Sequence, residues 1–294
     1  MTDNGNNGIC LMLGFFDCMH AGHRAISEAA VKYAKANSLE TVLFTFTSSP
    51  KIFAGDGKSI YTFSERKAIY SECGADRVIA YDFDEKTQRT SPVVFLDELF
   101  SREHVKAVFC GEDYRFGAEG AGDVRFLEKY CGEKNATLKA VPTVKVDGEK
   151  VSSTRIREFI EDSEIEKANK LLVMPYRITS EVVSGRGEGR KIGFPTANVR
   201  LYADKVYPAE GVYATKIKIG DKIYSGATNV GKKPTFGDDS VSIETFVDGY
   251  SGNLYGKTVT VFFTRRLRAI ERFSSPDKLA ERIRADVRKG EEQC

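Results

Sequence analysis

Several function classes are argued against by what this 294-residue chain does not contain. Its six cysteines, Cys10, Cys18, Cys73, Cys110, Cys131 and Cys294, form no Cys-x-x-Cys pair, so a zinc site is not expected. Single, scattered cysteines in a chain of this size fit buried free thiols in a reducing cytoplasm. No apolar stretch approaches the ~20 residues of a membrane helix. Residues 1–7 (MTDNGNN) carry neither the charged nor the apolar region of a secretory leader. Charge of one sign is not in excess: 44 basic against 42 acidic side chains leave +2, unlike a dedicated nucleic-acid binder. The expectation is a soluble cytoplasmic protein with no membrane or nucleic-acid partner, a monomer or weak homo-oligomer.

Histidine is equally scarce. Of only three, two stand in His20-Ala21-Gly22-His23, directly after the apolar run Ile9 to Phe16. That run predicts a strand, and Ile26, Ala29, Ala30 and Tyr33 then repeat at helical spacing, so the motif falls on a strand-to-helix turn. A helix start offers unbonded N–H groups and the positive end of a dipole, which suits phosphate. Residues three apart share a face, so both imidazoles can address one phosphate chain. Gly22 removes a side chain where phosphate oxygens would come close. The alternative is two surface histidines on an ordinary helix.

The two halves follow different patterns. Up to about residue 170, short apolar strands (Ile9 to Phe16, Thr41 to Thr47, Arg77 to Phe83, Lys106 to Gly111, Leu138 to Val146) alternate with helices (Arg24 to Ala36, Glu65 to Cys73, Val93 to Ser101, Val124 to Tyr130). This predicts an α/β fold with a doubly wound parallel sheet, ligands collecting at the carboxyl ends of its strands. From about residue 174, glycine punctuates runs rich in Val, Ile, Thr and Tyr: Arg177 to Val183, Val212 to Ile219, Lys222 to Ala227, Val241 to Val247 and Thr258 to Phe263. Period-two alternation there predicts an antiparallel barrel or sandwich. A last helix is capped by Ser275, starts at Pro276 and carries the stripe Leu279, Ile283, Val287. Asp162 to Leu172 reads as a helical linker.

A second motif, Val151-Ser152-Ser153-Thr154-Arg155-Ile156-Arg157, opens a further helix. One hydroxyl would serve as an N-cap, and that is the bland reading. Two serines, a threonine and two arginines in six residues also suit an anion clamp. Farther on, the glycines at 185, 187, 189 and 193 free the backbone to wrap phosphates, with Thr196 and Asn198 as oxygen ligands, although a glycine-rich hairpin is the simpler account. Gly57-Lys58-Ser59 is not a phosphate loop, because the required first glycine position is Ile52.

His-x-Gly-His after the first strand, with Ser-Ser-Thr-x-x-Arg at a later helix start, resembles the nucleotidyltransferase superfamily. Gly189-Arg190-Lys191-Ile192-Gly193-Phe194-Pro195-Thr196-Ala197-Asn198 closely resembles the signature of riboflavin kinases, as do Gly211-Val212-Tyr213-Ala214, Asn229-Val230-Gly231 with Pro234-Thr235-Phe236, and Leu254-Tyr255-Gly256. Together the halves resemble the bacterial bifunctional riboflavin kinase/FAD synthetase over nearly the whole chain. The resemblance implies an FMN adenylyltransferase domain over 1–170 and a β-barrel riboflavin kinase domain over 171–294. The substrates would be riboflavin, FMN and ATP, with Mg²⁺ as cofactor and FMN and FAD as products. It implies His20 and His23 as catalytic, with Gly14, Phe15, Asp17, Gly22, Asp113, Ser153, Thr154 and Arg157 on nucleotide and phosphate. In the kinase it implies Gly189, Lys191, Gly193 and Pro195 on ATP, Thr196 and Asn198 on the metal, and Glu244 as the base for the ribityl 5′-hydroxyl. By strand alternation alone Glu244 points opposite to Val241, Ile243 and Val247, toward either a cleft or solvent.

The chain also departs from the family pattern. Ser49 stands where histidine is usual, Cys18 where glycine is, Phe246 where histidine is common and Gly249 where aspartate is. Ser49 bears on the adenylylation rate rather than on the fold. A non-catalytic flavin or nucleotide sensor is the rival of a different class, but binding alone requires no base such as Glu244.

Overall fold

A computed structural model describes residues 7–55, 57–184, 196–232 and 241–291. By packing the chain divides into two compact units, Met1–Ser153 and Thr154–Cys294.

In the first unit, β1 (Ile9–Leu13), β2 (Glu40–Phe46), β3 (Arg77–Tyr81), β4 (Val105–Gly111) and β5 (Thr137–Val141) form one parallel sheet in the order β3-β2-β1-β4-β5. All five residues of β1 are buried, which is why the run is apolar without alternation: helices cover both faces of a parallel sheet. The helices are α1 (Ala21–Ala36), α2 (Pro50–Phe53), α3 (Phe63–Glu72), α4 (Glu85–Arg89), α5 (Pro92–Arg102) and α6 (Val124–Glu133). The core joins Leu11, Leu13, Val42 and Phe44 of the sheet to Phe95, Leu96 and Leu99 of α5 and Leu127 of α6. The strand order reverses between β1 and β4, and the crevice at their carboxyl ends is where such a sheet receives ligands.

The expected strand Leu138 to Val146 is broken. Proline at 142 cannot donate to a ladder, so β5 stops at Val141. The chain then makes a small hairpin, β6 (Lys145–Val146) and β7 (Glu149–Lys150), turning on Asp147 and Gly148 at positive φ. Likewise β1 ends at Leu13, three residues short of the expected Phe16.

In the second unit come α7 (Ser153–Glu161, its first residue at the division) and α8 (Ile165–Leu171), then β8 (Arg177–Val183), β9 (Thr196–Val199), β10 (Gly211–Ile219), β11 (Lys222–Lys232), β12 (Val241–Val247) and β13 (Thr258–Arg268). The six strands close an antiparallel barrel in the order β10-β11-β12-β9-β8-β13. The expected linker is α8, docked on β13: the Asn169 amide donates to the Phe263 carbonyl at 2.9 Å and its oxygen accepts from Tyr176 N–H at 2.7 Å. Strands β11 and β13 run five residues past their expected ends, and β9 was not foreseen as a strand. Helix α9 (Pro276–Glu291) starts at the expected proline and packs Ile283 and Val287 against Ala227 and Phe246. Among the described residues no helix is long and apolar enough to cross a membrane, no two of the five described cysteines are joined in a disulfide, and Cys73 is the one of the five not fully buried.

Candidate active sites

In the first unit the segment leaving β1 curls into the start of α1. His20 is the N-cap: its Nδ1 accepts the backbone N–H of His23 at 3.1 Å. The two imidazoles stack with centroids 3.6 Å apart and planes 13° from parallel, and the Phe16 ring meets His23 edge-on at 4.9 Å. Nδ1 of His23 donates to the Cys18 carbonyl. These bonds set the tautomers. In its neutral form His20 carries its proton on Nε2 and can donate there, whereas His23 carries it on Nδ1 and presents an acceptor at Nε2. Burial lowers both pKa values, His20 to about 2 and His23 to about 4, with the neighbouring ring lowering His20 further.

Gly22 has a more specific reason than closeness to phosphate. A Cβ there would stand 3.0 Å from Cε1 of His20, so the glycine makes room for the cap imidazole. At Gly14 a Cβ would lie 2.8 Å from the Phe16 ring.

A cavity of about 370 Å³ opens over this turn, at the strand-order reversal. Gly14, Phe15, Gly22, His20, His23, Asp113 and Ser153 of the expected set line it. Asp17 does not; it is buried and accepts the Ile60 N–H at 3.2 Å. Thr154 and Arg157 follow Ser153 on α7, in the second unit. Cys18 lies beside Ser153, with Sγ 3.6 Å from Oγ. Lys150 was missed: it lines the cavity and pairs with Asp113, holding that carboxyl below the usual carboxylate range. It stands in a polar hairpin, where a lysine carries no sequence signal. Ser49 caps α2, accepting the Lys51 N–H at 3.2 Å.

In the barrel, register brings three expected residues together. Glu244 on β12 lies opposite Asn198 on β9 and Asn229 on β11. The Thr196 hydroxyl donates to Oε1 of Glu244 at 2.5 Å, and the Asn198 amide reaches the same oxygen at 3.4 Å. Glu244 therefore faces a cleft: Thr196, Asn229, Glu244 and Phe246 line a cavity of about 280 Å³ whose other wall includes Arg268, Leu279, Ile283 and Asp286. Gly189, Lys191, Gly193 and Pro195, and with them Pro234-Thr235-Phe236, lie outside the described residues. Among the described residues no group of three or more His, Cys, Asp or Glu side chains is placed to hold a metal ion. The hard oxygens of Thr196 and Asn198 nevertheless fit Mg²⁺, which takes few protein ligands beside phosphate and water.

Comparison with known proteins follows the same division. Residues 2–155 match the family model described as FAD synthetase, and residues 172–294 the one described as riboflavin kinase. A protein of Listeria monocytogenes, named bifunctional riboflavin kinase/FMN adenylyltransferase, is 32% identical over 282 residues, 94% of this chain and 89% of its own. The Escherichia coli K12 protein of the same name is 32% identical over 284 residues, 95% of this chain and 90% of its own. A solved structure from Streptococcus pneumoniae, described as a macrolide-efflux protein, superposes with a TM-score of 0.87 at 30% identity, covering 98% of this chain and 95% of that one.

Proposed function

The chain belongs to the bifunctional riboflavin kinase/FMN adenylyltransferase family, and from that membership we propose how its residues divide two successive reactions. The protein phosphorylates riboflavin with ATP to give FMN, then joins FMN to the AMP part of a second ATP, giving FAD and pyrophosphate. Residues 1–170 carry the adenylyl transfer and residues 171–294 the phosphorylation.

In the barrel cavity Glu244 takes the proton of the ribityl 5′-hydroxyl as its oxygen attacks the γ-phosphorus of ATP, the bond from that phosphorus to the β,γ-bridging oxygen breaks and ADP leaves. Thr196 and Asn198 hold Glu244 by one oxygen and have lone pairs left for Mg²⁺, which would neutralise phosphate charge. Gly189, Lys191, Gly193 and Pro195 contribute to the ATP site on the strength of the motif alone.

Adenylyl transfer has different needs. An FMN phosphate oxygen attacks the α-phosphorus, a new P–O–P bond forms and the bond to pyrophosphate breaks. The nucleophile is already an anion, so donors are needed rather than a base. His20 offers Nε2–H to the phosphate chain. The approaching negative charge favours protonation of His23, whose Nε2 then becomes a second donor. Ser153 lines the cavity where the pyrophosphate leaves; Thr154 and Arg157 are assigned to that phosphate on the strength of the motif alone. Gly14, Phe15, Gly22 and Asp113 shape the nucleotide pocket, and Asp17 acts from behind it through Ile60.

The observation that carries this reading is the meeting of Thr196, Asn198 and Glu244 around one carboxylate oxygen, while the paired imidazoles occupy the ligand crevice of the other unit. Purified protein given riboflavin, ATP and Mg²⁺ should accumulate FMN and then FAD. Given FMN and ATP alone it should release FAD and pyrophosphate. Absence of both products refutes the proposal. FMN without FAD confines it to the barrel.

A further inference from the structure

The carboxyl ends of β1 and β2 gather around a side chain that the phosphate chemistry does not use. Arg66 of α3 is only 1% exposed. Its Nη2 donates to the carbonyls of Phe46 at 2.9 Å and Thr47 at 2.7 Å. Its Nη1 lies within reach of the Phe15 carbonyl (3.3 Å), the Thr45 hydroxyl (3.2 Å) and the Tyr70 hydroxyl (3.2 Å). The guanidinium also sits over the Phe15 ring, 4.6 Å from its centre. Carbonyls that have left a sheet need donors from elsewhere, and a planar cation with several donors supplies them together.

One helical turn along, Tyr70 extends the grip. Its hydroxyl accepts from Arg66 and donates to the Phe16 carbonyl at 2.6 Å. Burial pushes the phenol up to about 12, so it stays a donor at neutral pH. The Thr45 hydroxyl donates to the Phe15 carbonyl at 2.6 Å. Both peptide planes flanking Phe16 are thereby anchored, and Phe16 needs anchoring. Its φ is +49°, a region a phenylalanine enters at a cost of about 1–3 kcal/mol. The ring so placed is the one that packs edge-on against His23.

We propose that Arg66 and Tyr70 are positioning residues for adenylyl transfer: they hold the Phe15 and Phe16 carbonyls so that the Phe16 ring fixes the His23 imidazole in the nucleotide cavity. This rests on the reading that FAD is made in the His20/His23 cavity. The hydrogen-bond chain runs from Arg66 through Tyr70 to the Phe16 carbonyl, and ring contact carries it on to His23. None of these three residues has to touch the phosphates for the imidazole to depend on them.

The test uses the full chain with Tyr70→Phe, which keeps the ring and removes the donor, and Arg66→Lys, which keeps the charge and loses the fork. Adenylylation of FMN should fall about tenfold or more in kcat while KM for ATP moves by less than about twofold, because a misaimed group costs the transition state more than binding. Riboflavin phosphorylation by the same preparations should be unchanged. The chain has only three histidines, so their ring protons resolve by NMR. The His23 resonances should move in both variants, with exposed His104 as the fixed reference. Unchanged adenylylation kcat overturns the proposal. So do unmoved His23 resonances, or a loss that vanishes at temperatures where the variant is fully folded. His23→Ala separates the two levels: if it retains FAD synthesis, the site reading itself has failed.

Discussion

On β12, Glu244 gives Oε1 to the Thr196 hydroxyl and the Asn198 amide, an arrangement that leaves Oε2 to meet a substrate hydroxyl. Glu244→Gln keeps the shape and removes the base. Riboflavin phosphorylation should drop about 10²–10⁴-fold in kcat, with riboflavin binding by fluorescence titration nearly unchanged. A sensor of flavin would keep its response in that variant. The paired histidines make a different prediction. Their folded pKa values, about 2 for His20 and about 4 for His23, lie below the ordinary 6.5 because the rings are buried. Between those values and 6.5 the unfolded chain binds more protons than the folded one. The stability that the neutral rings carry is therefore complete above about pH 6.5 and is lost as pH falls, toward about 4 for His23 and toward about 2 for His20. The calorimetric unfolding midpoint of the first unit should fall over that window. His20→Asn, which keeps an N-cap acceptor but cannot titrate there, should flatten the dependence. A midpoint independent of pH between 7 and 4.5 in the unmodified protein would count against buried neutral imidazoles.

Elements show where local signals sufficed. Helices α1, α5 and α6 were legible as helical patterns, and α9 from Ser275, Pro276 and its apolar stripe, because an amphipathic helix declares itself within a few turns. Strand ends were less legible. β11 continues to Lys232 and β13 to Arg268 because each pairs along its length with a neighbour in the barrel, a condition no short window records. What holds α9 to the barrel was also invisible. Arg268 at the end of β13 grips Asp286 of α9 through two nitrogens, at 2.8 and 3.1 Å, with side-chain exposures of 10% and 5%. Asp286→Ala strands much of that buried cation and should cost about 3 kcal/mol in chemical denaturation. Because α9 also walls the cavity beside Glu244, KM for riboflavin should rise in the same variant. Wild-type stability and KM together would show that the pair does not hold the helix.

For the molecule as a whole, each cavity is built within one compact unit, so the activities should be separable in the intact chain. His20→Ala should abolish FAD formation and leave riboflavin-to-FMN conversion near its full rate. Glu244→Gln should do the reverse when FMN is supplied, and a variant that removes both activities without unfolding would contradict the division. Amino-acid order alone determined the two-part organisation, the parallel sheet and the antiparallel second half, which follow from local periodicity, whereas the candidate site residues came from the resemblance of short motifs to a known family. Tertiary structure decided which residues meet. Thr196 and Glu244 stand 48 positions apart, and only closure of the barrel in the order β11-β12-β9 sets them on adjacent strands. β1 and β4 become neighbours through strand order, which places Asp113 over the histidine turn. The grip of Arg66 on Phe15, Phe46 and Thr47 had no local sign, since a buried arginine in a polar helix reads like any exposed one until the strands ending around it are known. Covalent neighbours decide conformation over a few residues, whereas pairing partners and buried charge are settled by packing across the fold.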